Sequence, residues 1–118
     1  TSGPTTTSTT FAVLSEMTKT ITTKGNKVLI TFWVIIYDAT GAGGPDAIFG
    51  LFRDGTQITT SGSISLEASF AYRQVTITYV DSPTAASHTY DIRWKSSGGA
   101  HVITALTTAR GLQVTELG

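Results

Sequence analysis

Between Val28 and Tyr37 ten consecutive positions carry one polar side chain, Thr31, among nine apolar or aromatic ones. Gly25-Asn26 precedes this run, and Asp38 with a glycine-rich stretch follows it. Its Val, Ile, Phe, Trp and Tyr content predicts a strand, because β-branched and aromatic side chains fit a pleated surface. Successive strand residues point to opposite faces, so a strand with one wetted face alternates apolar and polar. This one is apolar on both. One face belongs to the core, and the other needs a second cover, which points to another copy of the chain.

The rest of the chain reads as short strands separated by turn residues. Phe11 to Leu14 and a mostly polar Thr18 to Thr22 come first. Ala47 to Arg53 and Thr56 to Thr59 flank Asp54-Gly55, a two-residue hairpin signal. Ile64 to Tyr72 and Gln74 to Val80 alternate at period two, and Asp81-Ser82-Pro83 stops the second. In His88 to Lys95, Tyr90, Ile92 and Trp94 fall on one face and Thr89, Asp91, Arg93 and Lys95 on the other. Val102 to Thr107 and Leu112 to Leu117 complete the set. Helical periodicity is absent. Eight or nine short strands predict an all-β antiparallel sandwich or jelly roll over residues 11–118. Residues 1–10, TSGPTTTSTT, carry no charge and no apolar pattern and read as a flexible N-terminal arm.

Composition narrows the function. The chain has 118 residues, enough for one domain with its own core, and no cysteine. Eight basic and eight acidic residues cancel and are spread singly, which argues against a nucleic-acid partner. No window approaches the roughly 18 apolar residues of a membrane helix, so no membrane partner is expected. Charged residues make up 14%, about half the usual share of a globular domain, and threonine takes their place on exposed strand positions. That balance suits a rigid, particle-bound β-protein.

Candidate chemistry is sparse. The two histidines, His88 and His101, fall in different turn regions, and no nucleophile elbow is present. His88 and Asp91 are three apart on one strand and therefore point to opposite faces. Asp38 to Asp46 offers two carboxylates and glycine-freed carbonyls, the makings of a weak Ca²⁺ site at most; it lacks the acidic density of an EF-hand loop and reads as a plain solvent loop. Glu67 and Glu116 have no pattern that pairs them in a cleft, and ion pairs with Arg53, Arg73, Arg93 and Arg110 are the simpler expectation. The expectation is a non-enzyme without metal or cofactor. Asp38, Asp46, His88 and His101 mark the loops where a ligand would sit if the domain binds one.

Three stretches carry a family pattern: FRDGTQI at Phe52 to Ile58, YVDSPTAASHTYDIRWKSSGG at Tyr79 to Gly99, and RGLQVTELG at Arg110 to Gly118. Residues 47–118 resemble a domain common in tailed-bacteriophage structural proteins and, more loosely, the tumour-necrosis-factor-like jelly roll. That resemblance implies a trimer on the virion surface. The role it implies is capsid decoration, bound to the major capsid protein or another virion protein. The alternative is the head of a tail fibre or tailspike, bound to a host-surface glycan. The doubly apolar strand supports self-assembly independently, with Phe32, Trp33, Ile35, Tyr37, Arg93 and Arg110 as the expected homotrimer interface.

Overall fold

A computed structural model describes residues 2–38, 46–65, 72–97 and 103–118. Eight strands account for nearly all of them: β1 (Ser2–Thr6), β2 (Ala12–Thr22), β3 (Val28–Asp38), β4 (Asp46–Arg53), β5 (Thr56–Ser65), β6 (Arg73–Asp81), β7 (Ser87–Ser96) and β8 (Ile103–Glu116). They form two four-stranded sheets, in the orders β1-β8-β3-β6 and β2-β7-β4-β5. Every pairing is antiparallel. Consecutive strands mostly change sheet, and only β4 and β5 are joined as a hairpin. This interleaved order makes the chain an all-β jelly roll.

The strand alternation builds the core. Val28, Ile30, Phe32, Val34 and Ile36 of β3 are fully buried and point at the second sheet. Leu14, Phe49, Leu51, Tyr90, Ile92 and Trp94 meet them from that sheet. Phe32 lies 5.7 Å from Phe49, which lies 6.0 Å from Trp94, so three rings fill the centre. Burying each such side chain contributes about 1.5–3 kcal/mol. The Asp54-Gly55 turn is as its sequence predicts. Both residues have positive φ, 52° and 84°, which matches the right-handed twist of the flanking strands.

Three expectations need correction. Residues 2–6 do not hang free: β1 pairs with β8, placing Ser2 opposite Leu106 and Thr6 opposite Ile103. β-Branched threonines supply a strand where no apolar alternation announced one. Phe11 to Leu14 and Thr18 to Thr22 are one strand, interrupted by a bulge that sets residues 14–17 against a single position of β7. Val102 to Thr107 and Leu112 to Leu117 likewise join in β8, where residues 106–109 bulge opposite Ile35. The two bulges are tied across the sandwich by an ion pair between Arg110 and Glu16, whose φ is +69°.

Candidate functional site

Two places concentrate chemistry. The first is the end of the sandwich at the Asp54-Gly55 turn, where Arg53, Asp54, Asp81, His88 and Tyr90 converge. Arg53, the last residue of β4, points inward and pairs with Asp81 at the end of β6. The Tyr90 hydroxyl donates to the same carboxylate oxygen at 2.7 Å. Burial pushes the Asp81 carboxyl up, but the hydrogen bonds from Arg53 and Tyr90 outweigh it and hold it below the usual range. Burial, then the Asp81 bond, pushes Tyr90 well above the ordinary phenol range.

Asp54 forms the second half of this cluster. Its carboxylate accepts the Thr89 amide at 2.8 Å and lies 2.7 Å from Nδ1 of His88. Nε2 of His88 sits 2.9 Å from the Thr84 carbonyl oxygen. Both ring nitrogens therefore face acceptors, which favours the imidazolium. The Asp54 bond, then the Thr84 carbonyl, raises the His88 pKa, while His88 and the Thr89 amide lower that of Asp54.

The cluster ties the β4–β5 turn to the ends of β6 and β7, with Asp81, His88 and Tyr90 buried and the Asp54 carboxylate half exposed. His88 is buried, with both nitrogens engaged, so it does not present a ligand loop as the sequence suggested. It also points away from Asp91, as the strand spacing required: Asp91 faces outward and pairs with Arg93 at 2.9 Å. The pKa directions give a pH dependence. His88 contributes stability below its unfolded pKa of about 6.5, and loses it as pH rises through the higher folded value. Asp54 contributes above about 3.9 and loses its share as pH falls through the lower folded value. The thermal midpoint is therefore expected to sit on a plateau between these limits and to decline on the alkaline side. His88→Gln should remove that alkaline step. An NMR titration that places His88 at or below the ordinary range contradicts the assignment.

The second place is the outward face of the sheet β1-β8-β3-β6. Leu29, Thr31, Trp33, Ile35 and Tyr37 alternate with the core residues of β3 and are half-buried. On β6, Val80, Thr78, Thr76 and Gln74 stand opposite Leu29, Thr31, Trp33 and Ile35. On β8, Thr115, Gln113 and Gly111 stand opposite Leu29, Thr31 and Trp33. The Trp33 indole lies flat over Gly111: a methyl group there would stand 2.1 Å from Cζ2. Only glycine allows that ring to rest on the sheet. Tyr37 makes an edge-to-face pair with Tyr72 at 5.4 Å. Tyr72 and Val80, 63% and 47% exposed, extend this apolar area to the β6 side. No charged side chain stands among these positions of β3, Gln74 to Val80 or Gly111 to Thr115.

The six expected interface residues do not share one surface. Trp33, Ile35 and Tyr37 do, on the outward face just described. Phe32 belongs to the sandwich core, because neighbouring strand positions face opposite ways. Arg93 lies on the outer face of the other sheet, its guanidinium 4.3 Å above the Phe52 ring. Beside it Lys95 covers Phe11 at 4.6 Å, and the two rings meet edge to face. Arg110 points between the sheets, and its side chain is 5% exposed. Of the loop candidates, Asp46 opens β4, with its amide bonded to the Ser97 hydroxyl at 2.7 Å. Asp38 ends β3 at the same end of the sandwich. His101, Glu67 and residues 39–45 lie outside the described residues. Glu116 accepts the amides of Lys24 and Asn26 through Oε2. Among the described residues no cluster of three metal-ligating side chains occurs.

Sequence reasoning missed Tyr72 and Val80 as members of the outward face. The alternation of Val75, Ile77 and Tyr79 fixes the inner side of β6, and the residues between them follow on the outer side.

No family model matches the chain, and no curated protein matches it. Among solved structures it is similar to the C-terminal domain of EclA, described as a sugar-binding protein. The two are 15% identical at a TM-score of 0.49, over 95% of this chain and 76% of that one. A likeness that distant carries no argument about function.

Proposed function

We propose that this chain is a phage virion structural protein, a homotrimeric capsid decoration (cement) protein that acts by non-covalent assembly at the particle surface. The observation that carries the reading is the outward row of β3. Trp33, Ile35 and Tyr37, with Tyr72 and Val80, form an uncharged apolar area on the central part of one sheet. Contiguous apolar surface of this kind marks interaction sites. Copies packed about this face bury it, and specific interfaces of this type typically cover about 800 Å² per partner. Binding to the assembled shell then stabilises the shell by mass action. The virion assignment rests on the resemblance of residues 47–118 to phage structural domains, and the major capsid protein is the corresponding partner.

One observation favours a second reading, a glycan-binding head of a tail fibre or tailspike. Trp33 lies flat on Gly111 in a frame of Thr31, Thr76, Thr78 and Gln113. An indole face ringed by hydroxyls and an amide also suits the apolar face and hydroxyls of a pyranose.

Tryptophan fluorescence separates the two. The chain has two tryptophans, and Trp94 is 2% exposed and beyond the reach of a soluble quencher. Iodide quenching therefore reports Trp33. Quenching that falls as protein concentration rises from nanomolar to tens of micromolar supports assembly through this face. Equal quenching at every concentration, with protection only on adding host-surface oligosaccharide, overturns assembly in favour of glycan binding.

A further inference from the structure

Each sheet ends in two edge strands, β1 and β6 in one and β2 and β5 in the other. The free N–H and C=O groups of an exposed edge are a template for another strand, and proteins protect such edges with proline, charge or a bulge. β1 carries Pro4 and a bulge between Ser2 and Thr5. β2 has its own bulge, with Glu16 inside it and Lys19 just beyond. β5 sets two extra residues against β4, one between Gln57 and Thr59 and one between Thr60 and Ser63. β6 has none of these devices between its ends. It runs in unbroken register along β3, from Arg73 opposite Ile36 to Asp81 opposite Val28. Gln74 to Val80, QVTITYV, contains no charge, proline or glycine, and its valines, isoleucine and threonines favour extended backbone. Among the described residues no strand pairs with its other side.

The edge is complementary to itself. An antiparallel pair about a twofold axis at Ile77 overlaps the whole strand, and any other centre overlaps less of it. This register sets Thr76 opposite Thr78 of the partner subunit, Val75 opposite the partner's Tyr79, and Gln74 opposite the partner's Val80. Threonine pairs and pairs of a β-branched with an aromatic residue are favourable across strands. The two charges of β6 fall opposite each other as Arg73 and the partner's Asp81, so no like charges meet. Face parity is kept as well. Gln74, Thr76, Thr78 and Val80 are exposed on the outer side, while Val75 and Ile77 are buried on the inner side and carry the core to the joint. The axis stands perpendicular to the sheet, so the Trp33 rows of both copies look the same way and the outward face of β3 continues across the joint.

We propose that the free side of β6 is a self-pairing edge, at which two copies join their β1-β8-β3-β6 sheets into one sheet of eight strands. This contact is separate from burial of the β3 face and requires neither that face nor a glycan. Two edge strands alone make a weak joint, so trapping reads the contact better than mass does.

The chain has no cysteine, so single introduced thiols report the register. In an antiparallel pair, Cα atoms directly opposite stand about 4.5–5.5 Å apart, within disulfide reach, and diagonal ones about 7–8 Å, beyond it. Thr76→Cys and Thr78→Cys alter exposed positions, and their thiols come opposite only when one copy of each variant pairs. Mixed in equal amounts under mild oxidation, the two should give a disulfide-linked product of about 25 kDa, twice the 12.4 kDa chain, on non-reducing gels. Either variant alone should remain a single chain. Far-UV circular dichroism should match the wild type in both. Adding Trp33→Arg to both should leave the linked product in place, so failure of the β3 face and failure of the edge are read separately. Equal yields from the mixture and from either variant alone overturn the proposal, as does a product lost with Trp33→Arg. No product from the mixture overturns it too, and assigns the edge to a strand from a different protein.

Discussion

Arg53→Ala should lower stability by about 3 kcal/mol, the largest effect expected from any residue outside the apolar core. The Asp81 carboxylate is nearly buried, its side chain 8% exposed, and Arg53 is its only cationic partner among the described residues. Removing the guanidinium leaves a charge that must be desolvated with Tyr90 as its remaining side-chain donor. Breaking a buried pair from one side typically costs about 3–5 kcal/mol, and the 29% exposure of Arg53 places this case at the lower end. For a chain of this size that is a loss of roughly 10 °C in thermal midpoint. Replacing both partners, as Arg53→Met with Asp81→Leu, should recover much of the loss, because no unpaired charge then remains. Calorimetry that finds Arg53→Ala within about 0.5 kcal/mol of wild type contradicts the clamp, since ordinary surface substitutions fall in that range.

Trp33→Arg should act in the opposite manner, leaving the fold intact and removing assembly through the outward face of β3. Trp33 sits at the centre of the outward face, and aromatic residues at interface centres typically contribute 2 kcal/mol or more, about 30-fold in the dissociation constant. The arginine also places a charge in an uncharged area. Phe32→Ala, one residue away, is the control. Its side chain is fully buried against Phe49, so it should cost about 3–5 kcal/mol of monomer stability at every concentration. Adjacent residues of one strand thus answer to different measurements, melting for Phe32 and sedimentation for Trp33. A Trp33→Arg chain that sediments as the wild type does contradicts the assignment of this face.

Much of the fold was legible because period-two alternation is a local signal. β3, β6 and β7 could be read from the side chains alone, and Asp54-Gly55 announced its hairpin. The same parity rule shows that Phe32 and Trp33 cannot share a surface, so a stricter reading of the sequence would have separated them. The bulges were not legible. Ser15-Glu16 in β2 and residues 106–109 in β8 break the alternation, and a broken alternation looks the same as a strand end. β1 was hidden for another reason: its threonines favour extended backbone but carry no apolar period. The placement of Arg93 and Arg110 depends on sheet order, which no single strand records. Arg53, Asp54, Asp81, His88 and Tyr90 meet in one polar clamp inside the fold, so they hold the domain together and say nothing of a partner. In the function proposed above, assembly runs through the outward face of β3.

Sedimentation equilibrium over a wide concentration range tests that claim most directly. The account predicts a mass that rises to three chains, about 37 kDa for a 12.4 kDa subunit. A chain that remains at 12.4 kDa at the highest concentrations, with Trp33 open to solvent, contradicts it.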